Sequence, residues 1–98
     1  MLTLDYIREV VEPLGEEYQV KKIWLFGSYA KGTANEDSDV DLLIEKKDGV
    51  PFTLLTLSSL RQDATEALDR PVDIVTTSGA DAFFLDEISK SEVLLYEG

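Results

Sequence analysis

The sequence predicts an α/β fold in which helices flank one small, mostly mixed β-sheet. Two observations carry this prediction: two long segments place apolar residues at helical spacing, and four short segments have the composition of strands. These segments and a last short helix follow one another in the order α-β-β-α-β-α-β. The chain has 98 residues, the length of one domain, so we expect residues 1–98 to form a single domain.

The first helix is predicted over residues 3–18. Apolar side chains recur there at alternating spacings of three and four residues, at Leu4, Ile7, Val11, Leu14 and Tyr18. This spacing lines up one face of an amphipathic helix, and Thr3 suits its N-cap position. Pro13 and Gly15 are poor residues for a helix interior, so we expect them to weaken this helix or end it early.

Two predicted strands and a polar loop come next. The segment VKKIWLFG is β-branched and aromatic and stops at Gly27. The turn-rich segment GSYAKGTANEDS follows, with one helical turn expected at Ser28 to Lys31. DVDLLIEKK is the second strand, closed by the turn signal Asp48-Gly49.

The second half of the chain repeats the alternation. Residues 52–68 return to a helical period, with one side formed by Leu57, Leu60, Ala64 and Leu68. Pro71 stops this helix, and VDIVTT is the third strand. Ser78 or Gly79 opens a last helix that runs to about Ile88, and EVLLYEG is short and extended.

The composition excludes several kinds of chemistry. The chain has no cysteine and no histidine, so disulfides, thiolate zinc sites and Ser-His-Asp catalysis are excluded, and any metal must be held by oxygen atoms. The formal net charge is −11 and the nine basic residues are scattered, so long DNA or RNA is not an expected partner. The N-terminus does not resemble a signal peptide and no segment is apolar enough to cross a membrane, which predicts a cytoplasmic protein.

Three aspartates interrupt apolar strand segments. Asp39 and Asp41 lie two residues apart in the second predicted strand, so both should project from one face of the sheet. Asp73 interrupts the third strand in the same way. If these strands are neighbours, three carboxylates converge, and they require a cation such as Mg²⁺, with Mn²⁺ also possible.

A possible phosphate site precedes the aspartates. Gly27-Ser28 stands where a strand ends and a helical turn begins, and backbone N–H groups in that position favour phosphate. The spacing excludes three other sites. The loop lacks the lysine of a Walker A motif, no G-x-G-x-x-G occurs, and Leu42 stands where an EF-hand loop requires glycine. A phosphate cradle beside metal-binding carboxylates indicates a nucleoside triphosphate site.

The segment GSYAKGTANEDSDVDLLIE resembles the signature of the DNA-polymerase-β-like nucleotidyltransferase superfamily. It has Gly-Ser, a second Gly five residues after the first, and then Ser-Asp-x-Asp. The short chain is similar to the minimal nucleotidyltransferases of bacteria and archaea, and the element order extends the resemblance over nearly all of it. The resemblance therefore implies a polymerase-β-like nucleotidyltransferase fold.

The resemblance also implies a role for each residue of the motif. Gly27 and Ser28 hold the triphosphate, with Lys31 and Ser38 as further candidate nucleotide-binding residues, and two Mg²⁺ ions are held by Asp39, Asp41 and Asp73. Asp73 is the third carboxylate, which activates the acceptor hydroxyl. Many members carry Arg where this chain has Tyr29, which leaves one fewer cation near the phosphates.

The reaction implied is attack of an acceptor hydroxyl on the α-phosphate of a nucleoside triphosphate, most simply transfer of AMP from ATP, with pyrophosphate leaving. Small proteins of this kind are often paired with a helical HEPN-type protein, which suggests an antitoxin whose acceptor is a tyrosine of that partner. A nucleotide-binding module that acts chiefly by binding its partner is the alternative. Phe83 and Phe84 cannot both be buried on one narrow helix stripe, and the exposed one is a candidate partner or homo-oligomer contact.

Overall fold

The computed structural model describes all residues from 1 to 98 and contains four helices and four strands. In chain order these are α1 (Leu4–Glu17), β1 (Lys22–Phe26), α2 (Ser28–Lys31), β2 (Val40–Glu45), α3 (Leu54–Leu68), β3 (Val72–Thr76), α4 (Ala82–Ser89) and β4 (Val93–Glu97). The predicted alternation of helices and strands is confirmed, and the helical turn expected at Ser28 to Lys31 is present as α2. No helix is both long and apolar enough to cross a membrane.

The four strands form one mixed sheet in the order β3-β2-β1-β4. β1 pairs antiparallel with both β2 and β4, whereas β2 and β3 run parallel. The end of β1 and the beginnings of β2 and β3 therefore lie at the same end of the sheet. The predicted aspartates and the Gly-Ser turn all belong to this end of the sheet.

One face of the sheet packs against α1 and α3 and forms the hydrophobic core. The buried residues of this core are Ile7, Val11, Val20, Ile23, Leu25, Val40, Leu42, Ile44, Leu60, Ala64, Leu68, Val72 and Leu95. Because side chains alternate along a strand, Phe26 and Asp41 project from the opposite face. Phe84 of α4 meets Phe26 there edge-on, with 5.7 Å between the ring centroids.

The first helix fills nearly all of its predicted range, residues 3–18, and continues past Pro13 and Gly15. Thr3 caps it as expected, since its hydroxyl accepts the N–H of Tyr6 at 3.1 Å. The expectation that Pro13 and Gly15 end the helix early is wrong, because the helix continues to Glu17. Gly15 is buried against the ring of Tyr96, and a Cβ there would lie 2.5 Å from that ring, so close packing with β4 takes precedence over helix propensity.

The last helix starts later than predicted. α4 begins at Ala82 rather than at Ser78 or Gly79, because the carboxylate of Asp81 accepts the N–H of Phe84 at 2.7 Å and acts as the N-cap. The side chain of Phe83 is 80% exposed. As predicted, the two phenylalanines of α4 are not both buried.

Candidate active site

The turn after β1 is in direct contact with a carboxylate of β2. Gly27 has φ 77° and ψ −153°, a backbone conformation that is essentially restricted to glycine. A Cβ on Gly27 would lie 3.0 Å from Cγ of Asp41 and closer still to its carboxylate oxygen Oδ2. Glycine is therefore required here twice, for its backbone conformation and for the space that Asp41 occupies.

Asp41 and Asp73 face each other across neighbouring strands. They are register partners in the parallel pair β2–β3, and both project from the sheet face opposite the core. The two side chains differ in environment: Asp41 is half-buried, whereas the side chain of Asp73 is 58% exposed. The sequence analysis made convergence of the carboxylates conditional on these two strands being neighbours, and they are neighbours.

Burial and two neighbouring carboxylates affect the ionisation of Asp41. Burial raises the pKa of Asp41 above its ordinary value, and the negative charges of Asp73 and Asp39 raise it further. The fold thus holds three carboxylates close enough to interact without supplying the positive charge that would neutralise Asp41. Such an arrangement is typical of a site that a cation completes.

Asp39 lies in the loop just before β2. The strand begins at Val40, so the expectation that Asp39 is part of the strand is wrong, although its negative charge acts on Asp41. Asp39 is exposed. The loop in front of it is held by the guanidinium of Arg70, which donates to the carbonyl of Glu36.

The donor set of the site has the chemistry of a divalent cation site. Carboxylate oxygens are the ligands that Mg²⁺ and Mn²⁺ prefer, so Asp39, Asp41 and Asp73 fit such an ion by type. Their present side-chain positions do not form a group of three that could hold one metal ion. Side-chain rotation is therefore required before all three can coordinate the same ion, and metal binding remains a prediction.

The predicted phosphate residues differ in their surroundings. Ser28 is the first residue of α2, whose first backbone N–H groups have no partner within the helix. Lys31 is exposed, makes no ion pair and lines a cavity beside Gly27. The hydroxyl of Ser38 accepts the N–H of Asn35 at 2.9 Å, so it serves to close the loop. The nucleotide-binding roles of these residues remain predictions.

Tyr29 stands at the position where the resemblance implies an arginine, and this position is not available to phosphate. The ring of Tyr29 packs against the core, and its hydroxyl is buried without a hydrogen-bond partner. Tyr29 therefore supplies no charge to the site.

Three basic residues near the site could not be predicted from a motif. Arg61 on α3 donates from Nε to the carbonyl of Val72 at 3.0 Å, and its Nη2 lies 3.9 Å from Oδ1 of Asp73. Arg70 holds the loop before Asp39, and Lys90 lines the cavity beside Gly27. None has a fixed spacing from the Gly-Ser or Ser-Asp-x-Asp motif, because each comes from a separate part of the fold.

The mixed sheet, with a Gly-Ser turn against paired strand aspartates, defines a nucleotidyltransferase. The chain matches the family model described as "Nucleotidyltransferase domain" over residues 7–95 and therefore belongs to that family, as a minimal nucleotidyltransferase. It is similar to the protein adenylyltransferase MntA of Thermococcus cleftensis. The two are 38% identical over 82 residues, which cover 80% of this chain and 81% of the relative.

Solved structures have the same fold. A "putative minimal nucleotidyltransferase" is 30% identical with a TM-score of 0.78, and the match covers 94% of this chain and 95% of that one. A chain of a toxin–antitoxin crystal structure with AMP-PNP is 25% identical with a TM-score of 0.80, covering 93% and 73%.

A third solved structure is more distant in sequence. A chain from the complex of a tri-AMPylated Shewanella oneidensis HEPN toxin with an MNT antitoxin has a TM-score of 0.73 at 20% identity, over 99% of this chain and 74% of that one. At that identity the likeness establishes the fold alone.

Proposed function

We propose that this nucleotidyltransferase transfers AMP from ATP to a hydroxyl group of a partner protein, and that this makes it the antitoxin of a toxin–antitoxin pair. The observation that carries the proposal is the contact of Gly27 with Asp41, opposite Asp73, in a chain similar to a protein adenylyltransferase. The toxin–antitoxin and AMP-PNP context of a structural neighbour supports the pairing and the nucleotide.

The chain's own residues take distinct parts in this transfer. Gly27 and Ser28 bind the triphosphate through backbone N–H groups, and Asp41 and Asp39 lie beside its α-phosphate. Asp73, on the far side of Asp41 from Gly27, faces the acceptor and takes the proton of its hydroxyl. Mg²⁺ bound to these carboxylates would neutralise charge that develops on the phosphoryl oxygens.

The partner is proposed to be a HEPN-type protein that presents a tyrosine. The complex of a HEPN toxin with an MNT antitoxin shows which kind of assembly this fold takes part in elsewhere. An acceptor hydroxyl that belongs to a partner protein does not require a separate acceptor pocket within these 98 residues. Its net charge of −11 favours a basic partner surface.

Label transfer tests the proposal. The protein is incubated with α-labelled ATP, Mg²⁺ and the protein encoded by the neighbouring gene, and label on that protein is measured. The Asp39→Ala/Asp41→Ala double variant should transfer no label. The Asp5→Ala/Asp48→Ala variant is the matched control, because it removes two exposed carboxylates that belong to neither the aspartate cluster nor the Gly-Ser turn, and it should transfer normally.

A second outcome would favour the alternative function. If the neighbour binds tightly but carries no label with the unmodified protein, the chain acts as a nucleotide-binding module that inhibits its partner by association. That result would contradict the proposed transfer.

A further inference from the structure

A cavity of about 500 Å³ opens beside Gly27, on the side away from Asp73. Its walls come from the end of β1, from α2 and from the junction between α4 and β4. Lys31, Phe84 and Lys90 are among the residues that line it. Its volume falls within the range of cavities that bind small ligands.

Asp73, Asp41, Gly27 and the cavity follow one another in this order across the sheet. Asp73 is the register partner of Asp41, and Asp41 in turn contacts Gly27, which lines the cavity. In an in-line displacement the attacking and leaving groups occupy opposite sides of the phosphorus atom. If the acceptor stands at Asp73, the leaving group therefore stands on the Gly27 side, at the mouth of this cavity.

The charge of the cavity wall is unusual for this chain. The whole chain has nine basic residues against 20 acidic ones, yet this cavity is lined by two lysines and one acidic residue, Glu87. Lys31 makes no ion pair, and Lys90 pairs with Glu87 at 3.2 Å, with both side chains more than half exposed. An exposed pair of this kind is weak, so a more highly charged anion can displace Glu87 from Lys90.

The two aromatic residues of the cavity wall pack against each other. The rings of Phe26 and Phe84 pack edge to face at an interplanar angle of 89°, and Phe26 is buried. The polar side chains on the wall are those of Lys31, Glu87, Lys90 and Ser91, and the two lysines are the groups that attract an anion.

We propose that Lys90 binds the β- and γ-phosphates of the nucleotide, and pyrophosphate after transfer, where they lie in this cavity beside Gly27. This inference rests on the proposed function. In the transfer, the bond between the α-phosphorus and its bridging oxygen to the β-phosphate breaks as the acceptor oxygen bonds to the α-phosphorus. Pyrophosphate leaves with the bridging oxygen, and the acceptor proton passes to Asp73. Lys90 thus supplies the cation that Tyr29 does not.

Binding of magnesium pyrophosphate, ATP and AMP to the purified chain, measured by calorimetry without any partner, tests this assignment. Lys90→Ala should weaken pyrophosphate and ATP binding about tenfold, the loss expected for one charge-assisted hydrogen bond. AMP binding should change less than about twofold. Lys90→Arg should retain most of the affinity, and Glu87→Gln should strengthen pyrophosphate binding because it removes the competing carboxylate.

Lys46→Ala is the matched control, since Lys46 is an exposed lysine outside the cavity and makes no ion pair. It should bind all three ligands as the unmodified chain does. The assignment is overturned if Lys90→Ala binds pyrophosphate normally, if AMP binding weakens equally, or if the unmodified chain binds no pyrophosphate. A chain that binds pyrophosphate through Lys90 but labels no partner would contradict the proposed function alone.

Discussion

Gly27 is the residue on which the geometry of the site depends most. It ends β1 in a conformation open only to glycine, and it leaves the space that the carboxylate of Asp41 occupies. Phosphate and metal groups must approach each other closely in phosphoryl transfer. Because Gly27 has no side chain, the turn predicted to bind phosphate contacts the carboxylate of Asp41, which is predicted to bind metal.

Substitution of Gly27 should therefore affect both stability and binding. Gly27→Ala should reduce the free energy of unfolding by about 1–3 kcal/mol, because it strains the backbone, and should abolish ATP binding, because Cβ displaces Asp41. Chemical denaturation and calorimetry measure the two effects.

Gly49→Ala separates these effects. Gly49 also has a positive φ of 80°, but a Cβ there meets nothing within 4 Å. This variant should lose about 1 kcal/mol of stability and bind ATP normally. Normal ATP binding by Gly27→Ala would show that the turn does not form part of the nucleotide site.

At the scale of elements, the two long helices are joined by a polar contact as well as by the core. Tyr18, the C-cap residue of α1, donates its hydroxyl to the carboxylate of Asp63 on α3. This bond, together with burial and the negative charge of Asp63, raises the pKa of Tyr18 to about 12. The folded chain holds the tyrosine proton more tightly than the unfolded chain does.

The sign of the resulting pH dependence follows from linkage. The stabilisation by Tyr18 is fully present below the ordinary tyrosine pKa of about 10, and it is lost as pH rises through about 12. Tyr18→Phe should reduce the free energy of unfolding by about 1 kcal/mol at neutral pH. It should also remove the tyrosine that ionises last in an absorbance titration.

Tyr6→Phe is the control for this prediction. Its ring is 44% exposed and its hydroxyl makes no hydrogen bond, so its removal should leave the stability unchanged. Equal stability of Tyr18→Phe and the unmodified chain at neutral pH would contradict a stabilising role for the contact with Asp63.

Hydrophobic spacing was enough to predict the elements, but not all of their ends. The core residues of α1 and α3 recur at the predicted spacing because burial on one face imposes that period. The continuation of α1 past Pro13 and Gly15 depends on Tyr96, more than 80 residues away, and local propensity contains no information about it. For α4, several capping residues were available and Asp81 was the one used.

At the scale of the whole molecule, the parts of the site lie along a line across the sheet. Asp73 on β3 stands at one end, Asp41 and Gly27 lie in the middle, and the cavity with Lys31 and Lys90 is at the other. The motif residues of this line could be predicted because their spacing is fixed within one loop and two strands. Lys90 could not, because only the packing of α4 beside β1 brings it to the site.

The central claim is that Asp73 completes a transfer site rather than a nucleotide-binding site. Transfer of labelled AMP to the partner, measured together with ATP affinity in Asp73→Asn, tests this claim most directly, with the exposed Asp48→Asn as control. ATP affinity should stay within about threefold, and the transfer rate should fall by about 10²–10⁴-fold because the proton acceptor is lost. Transfer by Asp73→Asn at the rate of the control would contradict the account.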